Sequence, residues 1–585
     1  MGRAYVVLMD GAHQSNGRDP IDPNVALQAA GLQLKAAFGG ASIFVSSDTP
    51  TLQLPDGGII IGDLYSHNGT AAHDASQLAN LSSDTAIRRH ILEKYWGDYI
   101  LMLPGADDSS TISVMRSPSP ACDLQCVYSL RDGRGFVTSD ISLAARLGLY
   151  HKRVDFDYIV HRLTYPDLKT SRTGLTDVSE LLPGCTVRLC NKNVDVSQDW
   201  SPWDFVGAEM RYSDQREAAS AVRSATELVI NAWARQDESI LLELSGGLDS
   251  SIVGVCLKDA QAQVTCSTLT TPVPGADERE YASLIADMLG VELLATELRY
   301  DDALFEFPLP QELVTPGIGP LQYVIDKIMQ ATAEHRGAKS CFSGGGGDTV
   351  FCYLTNAAPA ADAFRTAGFF TGISTVRDLS MFHQCTYWKA SRLTLRRLIH
   401  SQDEQFSVDR SFLSTSAPLP EPEHHPWLSA PTKALLGDQQ RIFQLSGAQF
   451  IRDSCPRGLA RRLRMPLLSQ PVIEACLQAP SWMWFAGGQN RAVARQAFSD
   501  VLPSRILTRK SKGTFTAYLG ALYRRNSGKM LDFLLGGVLQ AHNLLDAKEL
   551  RRITQTELLH DEAHFIRIFQ LCTIENWVRQ QSQSG

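Results

Sequence analysis

Short apolar runs punctuated by turn residues fill the first 200 positions of this 585-residue chain: Tyr5 to Met9, Ser42 to Val45, Gly58 to Ile61, Tyr99 to Leu103, Thr111 to Met115, Cys126 to Leu130 and Thr186 to Leu189. Asp56-Gly57-Gly58, Asp132-Gly133 and Pro183-Gly184 lie between them as turn signals. The pattern predicts a largely β, layered domain with helices over Val25 to Phe38 and Asp84 to Tyr95. Trp200-Ser201-Pro202-Trp203 reads as its exit, so the domains are set at 1–205 and 206–585.

From Gln215 the texture changes. An apolar-periodic helix runs to about Arg235, and then Ile240, Leu241, Leu242 and Leu244 form a run too short for a helix and apolar enough for a buried parallel strand. Val264 to Leu269 reads as a second strand, Pro272 to Asp277 as a loop, Glu280 to Leu289 as a helix, and Ser340 to Phe342 as a third strand. Strand and helix in alternation predict an α/β fold, a parallel sheet flanked by helices, with ligands beyond the carboxyl ends of the strands. Beyond Tyr353 the pattern is mostly helical, interrupted by the Pro-rich stretch Ser416 to Pro426, a solvated connector or a flap over substrate.

Two stretches at strand ends carry candidate chemistry. In Ser245-Gly246-Gly247-Leu248-Asp249-Ser250 the glycines allow positive φ and close backbone approach, and the helix that follows points its N-terminus at the same place. A tight turn without ligand is the other reading of such a sequence. Asp249 makes sense beside a phosphate only with a cation such as Mg²⁺ between them. Ser343-Gly344-Gly345-Gly346-Gly347-Asp348 also follows a strand and ends in an acid, so Asp249 and Asp348 are expected to hold one Mg²⁺ together.

Composition narrows the classes. With 44% hydrophobic and 20% charged residues the chain is ordinary globular material, and a formal net charge of -8 argues against a general nucleic-acid binder. The run Arg457 to Arg464 reads as a solvated helix face, or else as a local phosphate contact. No leader pattern and no membrane-spanning run is seen, so a soluble cytosolic protein is expected. The twelve cysteines fall mostly in apolar runs; neither Cys122 with Cys126 nor Cys185 with Cys190 has a zinc spacing.

The two loops together resemble the asparagine synthetase superfamily. Further marks fall in the family's order: Gly97-Asp98-Tyr99, Met115-Arg116 and Leu182-Pro183-Gly184 in the first domain, then Asp277-Glu278-Arg279, Arg452-Asp453, Arg464-Met465-Pro466-Leu467, Arg491 and Arg509-Lys510-Ser511-Lys512-Gly513. The resemblance implies a glutaminase-like αββα domain of the N-terminal-nucleophile type followed by a PP-loop ATP pyrophosphatase domain. It implies that Ser245, Gly246, Gly247 and Ser250 grip the pyrophosphate portion of ATP. Leu244, Leu269, Ser343 and Gly344 match positions that contact the adenosine, and Lys512 matches the catalytic lysine, with Lys510 as rival.

Departures from the family pattern sharpen the expectation. Gly2 stands where glutamine-hydrolysing members have a cysteine nucleophile, and Gly345 stands where asparagine synthetases carry Glu and beta-lactam synthetases Tyr. This pattern looks most like lasso peptide cyclases, which imply a precursor peptide as substrate and a leader peptidase and a leader-binding protein as partners. Ammonia-dependent asparagine synthesis, small-molecule amide formation and a non-catalytic nucleotide-binding scaffold are the alternatives.

Overall fold

In the computed structural model the apolar runs of the first domain are strands whose alternate residues face two different layers. Described are residues 3–9, 23–55, 57–76, 83–105, 111–131, 134–190, 193–274, 277–302, 305–399, 406–509, 515–555 and 562–583. The domain's strands are β1 (Tyr5–Met9), β2 (Leu32–Phe38), β3 (Ala41–Ser46), β4 (Thr51–Gln53), β5 (Ile59–Ser66), β6 (Tyr95–Pro104), β7 (Ile112–Arg116), β8 (Val127–Arg131), β9 (Arg134–Thr138), β10 (Ser179–Glu180), β11 (Cys185–Cys190) and β12 (Asn193–Gln198). They form two six-stranded sheets, β10-β8-β9-β1-β3-β2 and β12-β11-β7-β6-β5-β4.

Val7, Ile43, Ile61, Met102 and Val114 fill the space between the sheets. Val6, Leu8 and Phe44 point the other way, onto Leu27 of α1 (Pro23–Ala29) and Leu143 of α3 (Ile141–Arg146). On the far side Ile60, Tyr99 and Leu101 meet Ile87 and Ile91 of α2 (Asp84–Lys94). The period of two thus supplies apolar residues to both faces of each sheet, giving four layers in the order helix, sheet, sheet, helix.

The predicted helix over Val25 to Phe38 is corrected: α1 stops at Ala29, Gly31 turns the chain at φ +81°, and Leu32–Phe38 is an edge strand paired with β3 through a bulge. Leu32, Leu34, Ala36 and Phe38 alternate with Gln33, Lys35 and Ala37, a strand-like period of two, but only Leu32 is fully buried, so pairing with β3 more than burial holds this edge strand.

After α4 (Phe156–Thr164), the second domain opens with α5 (Gln215–Asp237) and continues as β13 (Ser239–Glu243), α6 (Leu248–Cys256), β14 (Gln263–Thr270), α7 (Arg279–Leu289), β15 (Leu293–Glu297), α8 (Pro320–His335), β16 (Ser340–Ser343) and β17 (Arg462–Arg464). The sheet is wholly parallel, in the order β15-β14-β13-β16-β17. Strand order reverses between the neighbours β13 and β16, and both glycine-rich loops leave from their carboxyl ends. That crevice is where open parallel sheets bind ligands.

β17 overturns the reading of Arg457 to Arg464 as a solvated helix face. Arg462–Arg464 is a strand, and Arg457 and Arg464 are buried. Their charges are tolerated because carboxylates meet them. Arg464 donates to Asp63 at 2.8 Å, Asp98 at 3.1 Å and Asp237 at 3.1 Å, with its guanidinium 4.8 Å from the Trp233 ring centre. Asp63 and Asp98 come from the first domain, so the cluster joins the two domains. A second buried group, Lys169 with Glu180 at 2.8 Å and Asp453 at 3.0 Å, does the same.

The stretch Ser416 to Pro426 is pinned to the first domain: Tyr165 donates to the Pro420 carbonyl at 3.0 Å and Arg172 pairs with Glu423 at 2.6 Å. None of its residues lines either cavity described below. The described cysteines are unpaired and nearly all buried, and no group of metal-ligating side chains that includes them is found among the described residues. Among those residues no helix is long and apolar enough to cross a membrane.

Candidate active site

A cavity of about 840 Å³ lies at the switch point. Leu244, Ser245, Gly247, Asp249 and Ser250 of the first loop, Leu269 at the end of β14, and Ser343, Gly344, Gly345 and Asp348 of the second loop all line it.

Glycine is required where the loops meet. Gly246 has φ +69°, and a Cβ there would lie 2.6 Å from Tyr281 Cβ on α7, so this residue faces α7 rather than the cavity. A Cβ on Gly344 would meet the Ser250 nitrogen at 2.6 Å, and one on Gly347 would meet Asp249 Cγ at 2.4 Å. The second loop is thus seated directly on the first turn of α6. Gly345 differs: a Cβ there meets Ile451, Met465 and Ser343 side-chain atoms at an ordinary 3.5 Å. Backbone geometry does not demand glycine at 345, so its effect is the space it leaves.

The first loop binds itself. The Ser245 N–H donates to Ser250 Oγ at 3.2 Å, and the Ser245 and Ser250 hydroxyls are 3.0 Å apart. Gly247 caps α6 without a side chain, so the first-turn N–H groups of that helix present their partial positive charge toward the crevice.

Arg491 brings the two acids together. Its Nη1 donates to Asp249 Oδ1 at 2.9 Å and Oδ2 at 3.1 Å, and lies 2.9 Å from Asp348 Oδ1. The Asp249 side chain is 11% exposed and that of Asp348 46%. Arg491 itself sits at φ +54°, a left-handed conformation uncommon for a residue with a side chain. Asp249 and Asp348 thus present two carboxylates close together at the crest of the loops, with Arg495 also near Asp249. A hard divalent cation that takes one or two carboxylates and otherwise phosphate or water oxygens fits this donor set.

Three further groups line the cavity whose roles the sequence did not disclose. Arg509 donates to the Gly246 carbonyl at 3.2 Å, pairs with Glu278, and stacks 4.0 Å over the Tyr281 ring. Glu278 and Arg509 both fall in stretches that resemble the family, and together they clamp the first loop against α7. Arg495 is pushed down to about 10 by burial and by Arg491. On the floor Arg457 is held between Glu243 and Asp326, and burial pushes Asp326 up to about 6. Lys512, and its rival Lys510, lie outside the described residues; Arg509 and Phe515 on either side of that segment both line the cavity.

Comparison with known proteins gives a family. No curated protein matches the chain. Among solved structures, one titled as the allosteric regulatory enzyme of purine biosynthesis shares 11% identity, with a TM-score of 0.18 over 53% of this chain and 76% of that one. A glutamine phosphoribosylpyrophosphate amidotransferase from B. subtilis, complexed with ADP and GMP, shares 10% with a TM-score of 0.21 over 59% and 81%. Likeness this loose carries no argument about fold or chemistry. The sequence model of asparagine synthase, in contrast, matches residues 221–579, well over half of the chain and all of the cavity lining. The chain belongs to the asparagine synthase family.

Proposed function

We propose that this family member is an ATP-dependent ligase that closes a peptide into a macrolactam, and that its second domain is a PP-loop pyrophosphatase domain. The carrying observation is Gly345: a position that tolerates a side chain has none, and the floor of the cavity is left open beside the acid-ending loop.

In the first step an oxygen of a peptide Asp or Glu carboxylate attacks the α-phosphorus of ATP, and the bond to pyrophosphate breaks. Bringing one negative charge to about 4 Å of another costs roughly 4 kcal/mol at an effective dielectric of 20. Arg491 offsets part of this, and the N–H groups at the start of α6 with Ser245 and Ser250 hold the departing pyrophosphate. Asp249 and Asp348 are the residues that would hold Mg²⁺, which supplies charge neutralisation on the phosphates. Leu244, Leu269, Ser343 and Gly344 form the adenosine wall. In the second step the peptide's α-amine attacks the acyl carbon, AMP leaves, and the ammonium proton passes to solvent. Lys512 neutralises the oxyanion; loss of a comparable donor costs about 3 to 4 kcal/mol in barrier.

The absence of a base at position 345 agrees with the choice of nucleophile. An α-amine with a pKa near 8 is roughly a tenth neutral at pH 7, whereas a lysine side chain is almost wholly protonated. The first domain, with Gly2 in place of a thiol nucleophile, acts as a scaffold. A precursor peptide, a leader peptidase and a leader-binding protein are the partners this reading implies, in the cytoplasm.

The test is incubation with ATP, Mg²⁺ and synthetic linear peptides that carry a free α-amine and one interior Asp or Glu. Loss of one water from the peptide, with AMP and pyrophosphate released, is expected. Rapid asparagine formation from free aspartate and ammonia instead would overturn the peptide reading. Pyrophosphate release that ignores every acyl substrate would leave only a nucleotide-binding scaffold.

A further inference from the structure

A second cavity, of about 570 Å³, adjoins the first. Thr349, the residue after Asp348, lines both, and the neighbours Phe450 and Ile451 face one cavity each. Anything seated there lies directly behind the loop whose acid faces the reacting phosphates. The helix Leu436–Ser446 builds much of its wall. Leu436, Gln439, Gln440, Phe443, Gln444 and the following Gly447 recur at helical spacing on one stripe. The opposite stripe, with Ile442 and Leu445, is core.

The lining is neutral and rich in hydrogen-bonding groups. Thr349, Thr355, Asn356, Gln439, Gln440 and Gln444 supply hydroxyls and carboxamides, and Leu354, Leu436, Phe443 and Phe450 supply apolar surface. Asn356 Nδ2 donates to Gln440 Oε1 at 2.8 Å, which fixes one pair of amides in place. Among the described residues its lining holds no lysine or arginine, and Asp167 is its one charged residue. Phosphate and carboxylate ligands are therefore disfavoured. Carboxamides offer donor and acceptor together, which is what a polypeptide backbone presents at every residue.

We propose that this cavity binds an uncharged stretch of the peptide substrate, holding the chain so that its reactive ends meet in the first cavity. The proposal rests on the ligase reading above and adds to it the place where the peptide is recognised.

Gly447 allows a direct test. Its φ is -81°, and a Cβ there meets nothing closer than 3.4 Å, so a side chain can be added without backbone strain. Gly447→Leu and, separately, Gln444→Trp fill the cavity from two sides. With the synthetic peptide that gives the most pyrophosphate, or failing turnover the one that binds best, each variant is expected to raise the peptide KM or Kd at least about tenfold while the KM for ATP stays within about twofold. In the native chain, amide hydrogen exchange over residues 436–450 is expected to slow when that peptide is added. An unchanged peptide affinity in both variants, or no protection of those amides, overturns the proposal. Protection without any pyrophosphate release from the native chain counts against the ligase reading and leaves the pocket standing.

Discussion

Two arginines in this chain each gather several aspartates, and they do different things. Arg464 meets Asp63, Asp98 and Asp237 with no exposed surface of its own, between two domains. Arg491 meets Asp249 and Asp348 at the rim of a cavity, and one of its acids is nearly half exposed. The first cluster is balanced by protein alone: Arg3 also pairs with Asp63 at 2.8 Å and Arg462 with Asp237 at 2.6 Å. The second lines an open cavity, with Arg495 and Arg509 beside it. A shared guanidinium is thus a weld where water is excluded on all sides, and part of a site where its carboxylates reach an open cavity.

The largest expected effect breaks the weld. Arg464→Leu leaves Asp63 with Arg3 and Asp237 with Arg462 but takes from buried Asp98 its ion pair, and removing one partner of a buried pair costs about 3 to 5 kcal/mol. The melting temperature is expected to fall steeply, with the domains separating under limited proteolysis. A melt near that of the native chain would mean the cluster is not what joins the domains.

Asp249→Asn should do the opposite: substrate-dependent pyrophosphate release drops by about 10² to 10³, an effect of the size seen when one preorganised charge-stabilising group is removed, while the melting temperature hardly moves. A large loss of stability with activity per folded molecule preserved would erase the distinction between the two clusters.

Glu474 gives a pH handle on the domain junction. It accepts hydrogen bonds from Trp200 of the linker and from Gln470, both at 2.9 Å, and burial pushes it up to about 7. Its pKa is higher in the folded chain than in the unfolded one, so its contribution to stability is fully present below about pH 4.5 and is lost as pH rises through 7. Glu474→Gln removes this slope and should stabilise the chain at pH 8 by up to about 3 kcal/mol relative to native, with little difference at pH 4. Chemical denaturation at both pH values checks it, and parallel curves for the two proteins would refute it.

The smallest stability effect belongs to Gly345. Gly345→Glu should shift stability by less than about 1 kcal/mol, because its Cβ has room. Pyrophosphate release should survive while ring closure falls, since the space beside the loop is lost. Intact cyclisation in this variant would remove the observation on which the peptide reading stands.

How much of this was legible beforehand follows from where the information resides. The two loops could be read because a glycine that must turn or approach closely is visible as a glycine, as at Gly246 and Gly344, and because each loop leaves a recognisable strand. Arg491 could be noticed but not given a role. Its partner Asp249 is 242 residues away in sequence, and its left-handed backbone occurs without the glycine or asparagine that would signal it. Arg464 reads as a surface charge because two of the carboxylates that bury it, Asp63 and Asp98, belong to the other domain. A helix over Val25 to Phe38 overlooks the turn at Gly31 and the alternation of Leu32, Leu34, Ala36 and Phe38, which pairing with β3 makes an edge strand. The second cavity was invisible because its wall is a helix stripe that resembles any half-polar surface face.

The most direct test of the central claim uses heavy oxygen placed in the reacting side-chain carboxylate of the peptide. If the carboxylate attacks the α-phosphorus, one labelled oxygen leaves in AMP and none in pyrophosphate or phosphate. Label found in inorganic phosphate, or retained wholly in the peptide product, would contradict adenylation at the paired loops.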